Sequence, residues 1–161
     1  MGAAVAVAQH ARRLLPGIWA GWLLCVALLA TPAPFAMLAS ADAGRVAGRM
    51  LAQEAYTSLA LGLVLLLLER WVARRAAAAG QGSGFSLGMM LVLGALFCTV
   101  AGYFGVQPLM EPARAGQGAL SFGQLHAVSA AFYVVKTLLV LALAWRVSRE
   151  FSLKINRPVS S

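Results

Sequence analysis

His126, Ser129, Tyr133, Lys136 and Thr137 are the side chains best suited to chemistry in this sequence, because they recur three or four residues apart in an otherwise apolar stretch. At ~100° per helical residue they fall within an arc of roughly 100°. An imidazole, two hydroxyls, a phenol and an ammonium on one stripe can bind a ligand or ion, or tie helices together by hydrogen bonds. Ionisable groups that face lipid are costly, so the stripe is expected to look into a bundle or a wet cavity. Lys136 stands about eleven residues from either end of its helix, near mid-membrane. It is expected to snorkel, or to sit neutral in a water-accessible crevice. Glu54 reads as lying at the outer end of its helix and Glu69 at the inner end, so a proton relay through Lys136 has no visible partner.

Two further polar faces can meet the stripe near its outer end. Glu54, Thr57 and Ser58 share one, and Thr99, Tyr103 and Gln107 share the other. With Arg45, Arg49 and Arg114 they predict a polar pocket open to the outer side, which the arginines would bias toward an anionic small molecule or lipid headgroup. Interhelical hydrogen bonding and loop ion pairs are the alternative use of the same residues. A third is a membrane oxidoreductase holding haem or a metal at His126. Bis-histidine haem ligation is excluded by the expected topology, which puts His10 and His126 on opposite sides. Cys25 and Cys98 differ in depth by ~9 Å, too far for a disulfide, and no zinc-ligand spacing occurs. No phosphate-binding glycine loop, zinc-protease helix or nucleophile elbow is present, which argues against an enzyme. No cofactor and no resident metal are expected.

What must position these groups is legible from composition. The 161 residues are 61% hydrophobic and 11% charged, whereas soluble domains carry about 25% charged residues. The apolar residues form four blocks at about 17–38, 52–72, 85–106 and 123–147, each long enough to cross ~30 Å of hydrocarbon as a helix. The predicted fold is an all-α four-transmembrane-helix bundle over 17–147. It lies between an N-terminal segment 1–16 and a basic tail 148–161, both cytoplasmic. Pro16 suits the start of the first helix, Trp19 and Trp22 read as interface anchors, and Pro32 and Pro34 bend or end it. Residues 40–53 form a short amphipathic outer segment that Asp42 can cap. Residues 76–84 read as a flexible loop.

The net charge of +8 follows topology, with no groove-like basic cluster for nucleic acid. Arg12, Arg13, Arg70, Arg74, Arg75, Arg146, Arg149, Lys154 and Arg157, against Glu69 and Glu150, gather on one side. Arg45, Arg49 and Arg114 balance Asp42, Glu54 and Glu111 on the other. Under the positive-inside rule both termini lie in the cytoplasm of a multi-pass protein of the cell (inner) membrane. The double arginine, apolar stretch and Thr31 to Ala36 also imitate a cleaved secretory signal. Gly17 with Gly21, and Gly84 with Gly88, have a spacing for close helix packing within the chain. A homo-oligomer through the glycine-rich first and third helices is the alternative.

Trp19 and Gly21, Pro32 and Phe35, Ala43-Gly44-Arg45, Gly48-Arg49 and Tyr56 form an ordered set with Pro108, Arg114, Phe122, Leu125, His126 and Ser129. Together, over about Trp19 to Trp145, they resemble the transmembrane protein 205-like domain. The resemblance implies four membrane helices and an uncharacterised molecular activity. An animal relative associated with resistance to platinum drugs adds an expectation of export or metal handling. Ligand binding or transport through the outer pocket is the leading expectation, with a structural or assembly role as the alternative.

Overall fold

Long apolar runs broken only by proline, glycine and short polar loops leave the backbone one way to satisfy itself in hydrocarbon, which is to hydrogen-bond along its own axis. The computed structural model describes residues 2–80 and 83–155. The elements are α1 (Gly2–Cys25), a π-helical segment π1 (Val26–Ala30), α2 (Pro32–Met37), α3 (Ser40–Ala78), α4 (Leu87–Thr99), a second π segment π2 (Val100–Gly105), α5 (Gln107–Arg114) and α6 (Phe122–Ile155). No strand occurs among the described residues. Among the described residues, four helical stretches are long and apolar enough to cross a membrane: Val5–Met37, Ser40–Ala78, Leu87–Arg114 and Phe122–Glu150.

These stretches form an up-and-down bundle. Helix α1 packs on α3, α3 on α4, α4 on α6 and α6 back on α1, so α3 and α6 face each other across the diagonal. Trp19, Leu23, Leu65, Val92, Ala95, Val140, Leu143 and Val147 fill the centre of the half nearer the termini. A smaller cluster of Val106, Met110 and Leu125 closes the opposite half, which carries the two longer connections. These halves are called below the terminal end and the loop end. Leu28, Leu67, Phe97 and Leu138 point outward and exposed, an apolar surface matched to lipid chains and not to water.

Several local expectations are corrected. Helix α1 runs unbroken through Pro16, which is buried inside it and not at its start; membrane helices tolerate an interior proline because neighbouring groups re-satisfy the freed backbone. The amphipathic segment 40–53 is the opening of α3 itself. Its helix begins at Ser40 with no side-chain cap, and Asp42 sits in the first turn bonded to Arg45 instead. Trp19 is fully buried and no interface anchor, while Trp22 is exposed. Gly17 and Gly21 face open space, whereas Gly62, Gly88, Gly94 and Gly102 sit where an added Cβ would press on a neighbouring helix's side chain. Helix α3 continues to Ala78, into the segment expected to be a loop, and α6 continues to Ile155. Arg157 of the expected tail, like Gln81 and Gly82 of the loop, lies outside the described residues.

Candidate functional site

From Glu54 on, every third or fourth residue of α3 turns inward, through Ser58, Gly62, Leu65 and Glu69. The same periodicity in α6 buries Lys136, Val140, Leu143 and Val147. The two series face each other, and Lys136 spans the gap between them. Its Nζ donates to both carboxylate oxygens of Glu54, at 2.8 and 2.9 Å. Both side chains are nearly fully buried, at 4% and 3% exposure. The expectation that no carboxylate lies at the depth of Lys136 is therefore corrected. Because α3 starts at Ser40, Glu54 sits fourteen residues, or ~21 Å, along its helix and not at its mouth.

The pair is braced from two sides. Ser58, one turn further along α3, donates to Glu54 Oε1. Trp19 of α1 donates its indole Nε1 to Ser58 Oγ at 2.9 Å. Beneath the ammonium, the Tyr133 ring centroid lies 4.6 Å from Nζ, a cation–π contact. The Tyr133 hydroxyl donates to the Leu23 carbonyl at 2.8 Å. Ser129 donates to the Gly102 carbonyl at 3.3 Å, and Thr137 donates back to the Tyr133 carbonyl. Gly102 lies in π2 and Leu23 lies just before π1. A π turn holds one more residue than an α turn, which displaces carbonyls from the helix ladder; such segments recur at functional sites. Here each meets a hydroxyl from α6.

Beside the ion pair lies a cavity of about 30 Å³, with Glu54, Lys136, Ser129, Tyr133, Thr99, Tyr103, Gln107 and Cys98 among its walls. That is room for about two water molecules. Half-buried Tyr103 and Gln107 mark its side toward the loop end. On the terminal side, Leu65, Val92, Ala95 and Val140 form a dry floor. Gly102 keeps the wall thin, since a Cβ there would stand 2.7 Å from Phe132 Cβ.

The remaining sequence-selected residues lie outside this cavity. His126 is exposed and stacks on Phe122 with ring centroids 5.9 Å apart. Arg114 lies over the other part of that rim, 4.4 Å from the Phe122 centroid. Arg45 is exposed and paired with Asp42. Arg49 is exposed too, within electrostatic reach of Tyr103. So Glu54, Ser129, Tyr133 and Lys136 come together, and His126, Arg45, Arg49 and Arg114 form a separate rim. Cys25 and Cys98 are free thiols, the first exposed and the second buried. No group of three or more His, Cys, Asp or Glu side chains that could hold a metal occurs among the described residues.

A second charged cluster occupies the terminal end, where sequence reading assigned only topological charges. Arg12 bonds to both carboxylate oxygens of Glu69 and, at 3.0 Å, to Glu150. Arg146 also pairs with Glu150 at 3.0 Å. Glu69 is 2% exposed, and Gly88 of α4 leaves it space, since a Cβ there would overlap its carboxylate. This network clasps the first, second and fourth spans together at one side of the bundle. The sequence did not show it, because Arg12 reads as lying before the first helix, whereas α1 begins at Gly2 and carries Arg12 within it.

Against known families, a model described as a domain of unknown function (DUF4149) matches residues 14–119, about two thirds of the chain. No curated protein matches. No solved structure matches either.

Proposed function

The chain belongs to the DUF4149 family, and we propose that it binds a small polar solute in the cavity beside Glu54 and Lys136 as part of transport or export. On the same reading the arginine-rich terminal end faces the cytoplasm of a cell membrane, so the cavity addresses the outer side. The resemblance to the transmembrane protein 205-like domain belongs to this reading too, and it agrees in architecture.

One observation carries it: a fully buried Glu–Lys pair bridges the bundle's diagonal and forms the wall of a polar, water-sized cavity. Ion pairs in a low-dielectric interior add little stability over a well-packed apolar pair. Ionisable groups inside membrane segments mark substrate and ion pathways. The cavity supplies what a structural pair would not need, namely hydroxyl, phenol and amide groups around a water-sized space.

A structural role is the second reading, favoured by the full mutual satisfaction of Glu54, Lys136 and Ser58. Mass spectrometry of detergent-purified protein separates the two. A double variant, Glu54→Leu with Lys136→Met, replaces the pair by apolar groups that can pack. A small molecule that co-purifies with the wild type and is lost from the folded double variant supports binding. Identical small-molecule content in both proteins supports the structural role.

A further inference from the structure

Resting on the cavity reading above, we propose that the site takes a small monovalent anion of the size of formate together with one proton, the proton going to Glu54 and the anion to Lys136. In the resting arrangement one ammonium faces one carboxylate, and the site carries no net charge. The centre of a bundle in hydrocarbon strongly penalises any other sum. An anion in the cavity therefore needs a positive partner, and Lys136 is the cation on its wall. That ammonium gives two of its three N–H bonds to Glu54, so a second anion can reach the third, but the site then carries one uncompensated negative charge unless Glu54 is neutral. A proton delivered from the loop end to a Glu54 oxygen achieves this. The site then holds a neutral carboxyl, an ammonium and an anion, and its net charge is again zero.

The geometry fits such an occupant. Lys136 already addresses both oxygens of a carboxylate, and a one-carbon carboxylate offers the same acceptor pair. The volume of about 30 Å³ is of the order of two waters, which favours a small anion. Tyr103 and Gln107 supply polar side chains that can donate around it, while the Ser129 and Thr99 hydroxyls beside them donate to the Gly102 and Ala95 carbonyls. The titratable groups facing the pair from its neighbours are Cys98 of α4, Tyr103 of π2 and Tyr133 of α6, with Cys25 of α1 acting on Tyr133. Thiols and phenols titrate on the alkaline side of neutrality, which leaves Glu54 as the group that takes the proton. Neither π1 nor α2 brings a charged side chain to the pair.

The indole of Trp19, linked through Ser58 to Glu54, gives an optical readout once Trp22, Trp71 and Trp145 are replaced by Phe. Formate is titrated into this detergent-purified protein between about pH 5 and pH 8, with Trp19 fluorescence recorded. Uptake of one proton per anion predicts an apparent formate affinity that falls about tenfold for each unit of pH while Glu54 is ionised. Glu54→Gln, folded by gel filtration, is expected to bind formate independently of pH and more tightly than wild type at pH 8. Formate affinity unchanged with pH in the wild-type cavity overturns the coupling, as does a complete lack of formate binding throughout that range. If formate fails while a co-purified solute is still lost from the Glu54→Leu, Lys136→Met double variant, this inference alone falls. If that solute is absent as well, the binding reading falls with it.

Discussion

Lys136 Nζ and the Glu54 carboxylate meet 2.8 and 2.9 Å apart across the diagonal of the bundle, between two helices that are not packed neighbours. A long side chain thus does what backbone proximity does not. Removing one partner strands the other charge in a buried place, which costs about 3–5 kcal/mol. Lys136→Met alone is therefore expected to lower thermal stability sharply. Adding Glu54→Leu to it should recover most of that loss, and a double-mutant cycle on detergent-solubilised protein measures the coupling.

Trp19→Phe keeps the buried ring but removes the donor to Ser58. The expected loss is about 1 kcal/mol. In a Ser58→Ala background the same change should cost less, because the acceptor is already gone. Thermal unfolding of the four proteins decides this.

Glycine substitutions should divide by location. Gly88→Ala puts a methyl group into the Glu69 carboxylate and disturbs its bonds with Arg12, so the melting temperature should fall. Gly17→Ala and Gly21→Ala meet open space. They should hold or raise stability, since alanine favours a helix over glycine by up to about 1 kcal/mol. Comparable losses at all three positions would contradict the packing described.

His126 lies on the exposed rim and not on the cavity wall. His126→Ala should change stability by less than about 0.5 kcal/mol and leave formate titration of the Trp19 reporter unaltered. A lost response would move the site outward to the rim.

Arg12 bonded to Glu150 ties α1 to α6 at one end of the bundle. With the arginine-rich side inward, a fluorescent protein fused at the C-terminus should fluoresce in a bacterial host, and an alkaline phosphatase fused there should be inactive. The opposite result would reverse the orientation and turn the cavity toward the cytoplasm.

The four spans were legible because their apolar runs match the bilayer. The inward turn of Ser129, Tyr133 and Lys136 followed from helical periodicity alone. The partner of Lys136 was not legible, because its depth depends on where α3 begins. The polar start of that helix at Ser40 hid fourteen residues of the path to Glu54. Trp19 was misplaced for a related reason: an indole near a chain end reads as an anchor until Ser58, thirty-nine residues away, is seen to accept from it. Gly17 and Gly21 carried a packing spacing but faced outward, while Gly102 and Gly62, outside that pattern, make the close approaches. Spacing reports which residues share a face; it does not report which face meets a neighbour.

The two buried carboxylates of α3 differ in when their partners arrive. Glu69 finds Arg12 on the span that precedes it, so a ribosome feeding the chain into the membrane delivers that pair together. Glu54 must wait eighty-two residues for Lys136, on the last span to be inserted. Until then the Glu54 carboxylate has no ammonium to face, because Lys136 is its ion-pair partner. Completion of the bundle is thus the step that closes its central ion pair, and a chain halted before its fourth span leaves Glu54 without the ammonium that satisfies it.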